Sequence, residues 1–265
     1  MRLLVTAGVT QVPIDQVRVI TSVFTGRTGT RIALEANRRG HEVTLLTSAP
    51  QLVGEQLRSA ARWHVKRFRT FDELHDMLAE LVPRQEYDVI IHSAAVSDYR
   101  VANVYVPNSG NVMSVSYSDD KKTGLAEEAL DFAPLNNQPK PCSTSEHRGR
   151  FVLQVAPKIS SMYGEVWLRL VPTPKLVDQI RRDWGFQGVL VKFKLEAGVS
   201  EETLLARAEA SRINSAADLM VANLLESVAT TAWLGPLAGQ YRKLSRQQLA
   251  PALLDAVESL VGCKR

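Results

Sequence analysis

Glycines that follow strands, and charges isolated in loops, are the residues whose types and spacing suit chemistry. Gly8 comes just after the short apolar run of residues 3–5, and beyond a loop Thr25-Gly26-Arg27-Thr28-Gly29-Thr30 opens a helical pattern. Glycine admits close backbone approach, and the free N–H groups of a helix start attract anions. Gly8, Gly26 and Gly29 therefore form a candidate phosphate cradle, with plain turns as the alternative. In the intervening loop, Arg18 has the geometry to hold a phosphate or carboxylate through two guanidinium N–H groups, or it lies on the surface. Asp98, beyond an apolar strand, suits a nucleotide ribose, a base or metal-bound water, and equally a turn cap. Phe193 ends another apolar strand, where it stacks on a base or fills the core. His92 also ends a strand and reads as structural rather than as a general base. No Ser/His/Asp nucleophile arrangement is evident.

Short β-branched runs alternating with helical patterns must position these residues. Strands are expected at 2–6, 41–46, 65–68, 87–92, 166–170, 189–193 and 219–222, and helices at 31–39, 71–81, 175–184, 202–216 and 247–261. The expected fold is α/β, a Rossmann-like and mostly parallel sheet with flanking helices and a flap insertion. Ligands in such sheets bind outside the carboxyl ends of the strands, so Gly8, Ala94, Ala95 and Asp98 are expected to converge. The 8–24 loop exceeds an ordinary βα turn, which points to function. No G-x-G-x-x-G fingerprint is present.

At 265 residues the chain can bury a full core. Its net charge of +4 suits anionic small substrates but is too small to argue for nucleic acid. No run reaches the roughly 20 apolar residues that span a bilayer, and the start lacks a signal peptide's pattern, so a cytoplasmic location is expected. Cys142 and Cys263 have no metal-ligand spacing and are expected to be free thiols.

The run TAGVTQVPIDQVRVITSVFTGRTG, residues 6–29, resembles the opening signature of the phosphopantothenate cysteine ligase family. Three blocks follow in the family's order. Ala94-Ala95-Val96-Ser97-Asp98-Tyr99 resembles its AAV-[AS]-D-[YF] segment, Lys158-Ile159-Ser160-Ser161 its flap lysine motif, and Phe193-Lys194-Leu195-Glu196 with Val221-Ala222-Asn223 its later strand ends. The resemblance covers nearly the whole chain apart from about residues 102–156. It implies a single, stand-alone ligase domain over 1–265 with an insertion at about 102–156, because Asp98 and Lys158 lie much closer together in the family pattern. Within that insertion, part of the apolar segments 112–117 and 151–155 is expected to form a hairpin and 135–147 a mobile portion.

The resemblance implies an activity that joins L-cysteine to 4'-phosphopantothenate in coenzyme A biosynthesis. ATP or CTP is the co-substrate, Mg²⁺ the cofactor, an acyl-nucleotide the intermediate and pyrophosphate the by-product. Such chemistry needs fixed N–H donors and cations rather than a covalent nucleophile. By the same resemblance Lys158, Arg18 and Ser22 are the catalytic candidates. Gly8, Gly26, Gly29, Ala94, Ala95, Asp98, Thr173, Pro174, Lys175, Leu176 and Phe193 would bind the nucleotide, with no metal ligands assigned. A homodimer whose flap completes the partner's site is implied, with no nucleic-acid or membrane partner.

Two departures stand out. Ser22 replaces the family's asparagine, which is implicated in handling the intermediate, and Ser211 and Ser215 stand where CTP-using members carry lysines. The Phe193-Lys194-Leu195-Glu196 block is more like the ATP-using branch. A diverged paralogue that binds a nucleotide or anionic metabolite is the alternative. A nicotinamide-dependent reductase is weaker, since the one Tyr-x-x-x-Lys pair, Tyr117 with Lys121, lies in the polar insertion.

Overall fold

The computed structural model describes residues 1–54, 62–107, 151–153 and 156–264. Most of the expected insertion, with Cys142, Tyr117, Lys121 and the segments 112–117 and 135–147, falls outside the described residues. The chain opens with β1 (Arg2–Ala7), β2 (Gln11–Pro13), β3 (Val19–Thr21), α1 (Arg27–Arg38), β4 (Glu42–Thr47), β5 (Trp63–Arg67), α2 (Phe71–Leu81) and β6 (Val89–His92). After β7 (Tyr99–Pro107), β8 (Phe151–Leu153) and β9 (Trp167–Pro172) come α3 (Leu176–Arg182), β10 (Val189–Glu196), α4 (Glu201–Asn214) and β11 (Leu219–Leu224). A hairpin of β12 (Thr231–Leu237) and β13 (Gln240–Ser245) leads into α5 (Arg246–Lys264).

Two compact units result. The first comprises Met1–Val12, Val19–Asp98 and Pro172–Arg265. Its eight-stranded sheet has the order β13-β12-β11-β10-β6-β1-β4-β5, parallel from β11 to β5 and antiparallel at β12 and β13. The central strands are buried on both faces, which is why Leu3-Leu4-Val5 and Val89-Ile90-Ile91 read as unbroken apolar runs. Alternate residues divide between two cores. Leu3, Val5, Val89 and Ile91 meet Ile32 and Ala36 of α1 and Leu253 of α5, while Leu4 and Ile90 meet Leu74 and Leu78 of α2 and Ile180 of α3.

Local signals set the helix starts. Thr70 caps α2 by accepting from Glu73 N at 3.3 Å, and Ser200 caps α4 by accepting from Thr203 N at 3.2 Å. By contrast α1 starts behind Gly26, in the left-handed region at φ 81°, with no side-chain cap. Two features differ from expectation. The 8–24 loop contains the paired strands β2 and β3, and the β12–β13 hairpin closes the sheet where no strands were expected. Gly235 and Pro236 inside β12 read as breakers, yet the hairpin forms around Ala238 and Gly239, both at positive φ.

The second unit comprises Pro13–Arg18 and Tyr99–Val171. Its three-stranded sheet runs β8-β7-β9, and its described core gathers Val104, Val106 and Ile159 with Ile14, Val101, Tyr163 and Leu168 around them. Of the segments expected to form a hairpin, 151–153 is described as β8, and it pairs antiparallel with the end of β7, while 112–117 lies outside the described residues.

Candidate functional site

In the first unit, the strand order turns about β1, with β4 on one side and β6 on the other. That is the place where a parallel α/β sheet opens a crevice at its carboxyl edge. The segments leaving β1 and β6 are fastened together there: Ala95 N donates to Gly8 O at 2.8 Å, and Thr10 N to Ala95 O at 3.2 Å. Ala94 N donates to Thr6 Oγ1 at 3.2 Å and Ser97 N to Thr10 Oγ1 at 2.8 Å. Asp98 joins them through its carbonyl, which accepts from Thr173 N at 2.9 Å, while Thr173 Oγ1 donates to Ser97 O at 2.6 Å. Gly8, Ala94, Ala95 and Asp98 thus converge, as the strand ends implied, and Thr173 joins them.

Packing accounts for the glycines. A Cβ on Gly8, at φ 97°, would sit 2.1 Å from Ser48 Oγ, the hydroxyl that accepts from Val9 N at 2.8 Å. On Gly26 it would sit 2.5 Å from Gly8 N, and on Gly29 2.8 Å from Ala7 Cβ. Gly26 and Gly29 therefore let the start of α1 press against the end of β1, and Gly8 lets that end pass close to Ser48. Beside it lies an open cavity of about 390 Å³ with Gln11, Phe24, Thr25, Arg27, Ser48 and Gln51 in its lining. Val9, Ala49 and Leu52 line it as well, so the walls are mixed, and its one cation, Arg27, lies at a helix N-terminus, which suits an anionic group. Ser22 is exposed just beyond β3.

Lys175 Nζ lies 2.5 Å from Asp98 Oδ1, and both side chains are mostly exposed, so the pair contributes little to stability. Pro174 is exposed and Leu176 buried, so the 173–176 segment is anchored by Leu176 and by the bonds to residues 97 and 98. Phe193 is half-buried against the α1–α5 core, which combines the two alternatives of core filling and partial availability.

Below this edge lies a buried polar row that the sequence reading missed. Strand register aligns Thr6, His92 and Lys192 across β1, β6 and β10. Thr6 Oγ1 lies 3.1 Å from His92 Nδ1. Lys192 Nζ donates to Ser211 O at 3.2 Å and to Ser215 Oγ, and lies 3.6 Å from Asp178 Oδ1. The lysine reaches the two positions, 211 and 215, where lysines were expected to be missing. Burial first, and then the Lys192 ammonium, pushes His92 down to about 4, with Asp178 opposing. Neutral and enclosed, His92 is structural. The available signal was Lys192 itself, a charge within the apolar run Val189-Leu190-Val191, which a strand covered on both faces must bury.

Asn223 is buried too. Its amide donates to Lys194 O at 3.1 Å and its carbonyl accepts from Arg246 Nη2 at 2.6 Å, tying β10 and β11 to the start of α5.

In the second unit, Arg18 does not meet the expectation of a guanidinium waiting for a substrate. A carboxylate is already in place: Asp15 Oδ2 accepts from Arg18 Nε at 3.0 Å and from Nη2 at 2.5 Å. The pair forms because residues 15–18 make a tight turn in which Asp15 Oδ1 also accepts from Val17 N and Arg18 N. The Arg18 guanidinium, with the Ile159 amide, holds the Asp15 carboxyl well below the usual carboxylate range. Lys158 is exposed, between Pro157 and the buried Ile159. Among the described residues no cluster of three or more His, Cys, Asp or Glu side chains is placed to hold a metal. Cys263 is a free, exposed thiol, and no helix among the described residues is long and apolar enough to cross a membrane.

The family described as "DNA/pantothenate metabolism flavoprotein C-terminal domain" matches residues 1–107. The coenzyme A biosynthesis bifunctional protein CoaBC of Thermococcus kodakarensis is 29% identical over 269 residues, which is 98% of this chain and 51% of that protein. CoaBC of Escherichia coli is 35% identical over 104 residues, 39% of this chain and 24% of that protein. The chain thus spans about half the length of the Thermococcus relative. The DNA/pantothenate metabolism flavoprotein from Streptococcus pneumoniae superposes with a TM-score of 0.71 at 26% identity, covering 98% of this chain and 99% of that one. A Cab2 mutant in complex with phosphopantothenate-cysteine shares the fold, with a TM-score of 0.64 at 17% identity over 99% of this chain and 88% of its own.

Proposed function

The chain belongs to the phosphopantothenate–cysteine ligase family, and from that premise we propose that it joins L-cysteine to 4'-phosphopantothenate through an acyl-nucleotide intermediate. The observation that carries this reading is the fastened edge in which Gly8, Ala95, Asp98 and Thr173 meet beside the start of α1. Activating a carboxylate with a nucleoside triphosphate builds charge on phosphate and carbonyl oxygens. Fixed backbone dipoles and cations stabilise that charge without rearranging during the step. Arg27 and the α1 N-terminus face one cavity and give it the positive end that an anionic group needs, and Phe193 offers a half-buried ring for a base. Asp98, an exposed carboxylate paired with Lys175, would hold Mg²⁺ in place of that ammonium, since the ion binds through one or two carboxylates and otherwise through water and phosphate. The ion would supply neutralisation of phosphate charge. By the resemblance of its motif, Lys158 would serve as a catalytic cation.

Exposed apolar side chains in the second unit, Met162, Trp167 and Leu170, support the homodimer as part of the same reading. A diverged paralogue remains a second reading on one observation, the exposed Ser22 in the asparagine position. Purified chain, phosphopantothenate, cysteine and Mg²⁺ with either ATP or CTP should release pyrophosphate. No release above a Lys158→Ala control with either nucleotide would remove the ligase reading in favour of the paralogue.

A further inference from the structure

The residues on both sides of Lys158 are tied by their backbone to the turn formed by Asp15, Gln16 and Arg18. Gln16 N donates to Pro157 O at 3.0 Å. Ile159 N donates to Asp15 Oδ2 at 3.0 Å, and Arg18 Nη2 donates to Ile159 O at 2.8 Å. We infer that Asp15 and Arg18 are positioning residues whose ion pair grips the Ile159 peptide groups and so fixes where Lys158 leaves the backbone.

Several features favour this over a simple turn. The Asp15 side chain is fully buried, and its two oxygens accept from five N–H donors, of Val17, Arg18 (backbone, Nε and Nη2) and Ile159. A turn aspartate needs only the local amides. Here one oxygen serves the turn and the other is shared between the guanidinium and an amide 144 positions away. Arg18 completes the grip from the carbonyl side, so both polar groups of one peptide residue are held by one ion pair. The Ile159 side chain is buried against Val104 and Val106, which fixes the same residue from a third direction. Lys158, next in line, is exposed. A long flexible ammonium delivers charge to a defined point only if its root is fixed, and small displacements of such a group are costly in rate. Arg18 would thus act through Lys158 rather than on an anion.

The inference rests on the ligase reading for what Lys158 does, and on geometry alone for the grip, so the test separates the two. Asp15→Asn and Arg18→Lys in the full chain keep similar volume and should stay folded by circular dichroism. If one does not fold, the other carries the test. Amide exchange of the 156–163 peptide, followed by mass spectrometry, should show one amide about tenfold faster or more in both variants. Pyrophosphate release should show kcat lowered about tenfold or more, with KM for nucleotide within about twofold. Neither substitution should lower the rate further when added to Lys158→Ala. Unchanged exchange overturns the grip. Losses that multiply with that of Lys158→Ala overturn action through the lysine. Wild-type chain without pyrophosphate release would overturn the ligase reading, while the exchange result still decides the grip.

Discussion

His92 shows how a single buried group gives the protein a pH response. Its imidazole titrates near 6.5 when free and is pushed down to about 4 in the fold, first by burial and then by the Lys192 ammonium. The unfolded chain therefore takes up the proton first as the pH falls. Stability owed to this group is complete above about 6.5 and is lost progressively down to about 4, by ~3 kcal/mol in all. Urea midpoints measured across that interval should fall for the wild type, and His92→Gln should flatten the slope. An unchanged slope in the variant would show that the acid sensitivity comes from elsewhere. Residue-scale features divide by whether their partners lie near in sequence. Asp98 and Gly8 were legible because a strand end announces where a residue will be. Asp15 was not, because an aspartate in a turn looks the same whether or not a peptide 144 positions away uses its second oxygen. Lys192 was hidden for the same reason: its partners Ser211, Ser215 and Asp178 come from two helices.

Among the elements, α1 depends most on exclusion of side chains. Its cap, Gly26, combines φ 81° with a space closed by backbone, since an added Cβ would meet Gly8 N at 2.5 Å and Gly8 Cα at 2.6 Å. Gly40 has the same kind of backbone, φ 85°, but nothing within 4 Å of its Cβ position. Both Gly→Ala changes carry the cost of a left-handed alanine, ~1 kcal/mol. Only Gly26→Ala adds the displacement of α1 from β1, ~2 kcal/mol more. Thermal unfolding should rank Gly26→Ala well below Gly40→Ala, and equal melting temperatures would mean that α1 is not pinned at its cap. The helices and parallel strands of this unit were legible from apolar runs, with α2 matching at both ends. The antiparallel β12–β13 pair was not, because Gly235 and Pro236 suggest a break that the shift in β12–β13 register between Leu234 and Leu237 accommodates. In the second unit β9 was legible from the run at 166–170, but the pairing of β7 with β8 was not, since the long polar segment separates them in sequence.

At the scale of the molecule, the first unit is closed by the last helix of the chain packing beside the first. Leu249, Leu253, Leu254, Val257 and Val261 of α5 enter the same core as Ile32, Ala33 and Ala36 of α1 and Leu3 and Val5 of β1. Polar contacts fasten the rim. Arg39 Nη1 lies 2.7 Å from Asp255 Oδ1 and 3.2 Å from Glu258 Oε1, and His41 Nε2 lies 2.9 Å from Glu258 Oε1. Burying these five α5 side chains is worth on the order of 10 kcal/mol. That is comparable with the whole stability of an ordinary domain, about 5–15 kcal/mol. The parallel sheet has no other described cover for this part of its face, so the site edge at β1 and β6 depends on residues more than 150 positions away. A chain ending at Ser245 should therefore lose its cooperative melting transition and all nucleotide-induced stabilisation. One ending at Val261 should keep both, because Gly262 and Cys263 beyond it are exposed. Leu253→Ala, intermediate between them, should lower stability by about 3 kcal/mol with the transition still cooperative. Cooperative melting of the chain that ends at Ser245 would show that the sheet and its carboxyl edge stand without the closing helix.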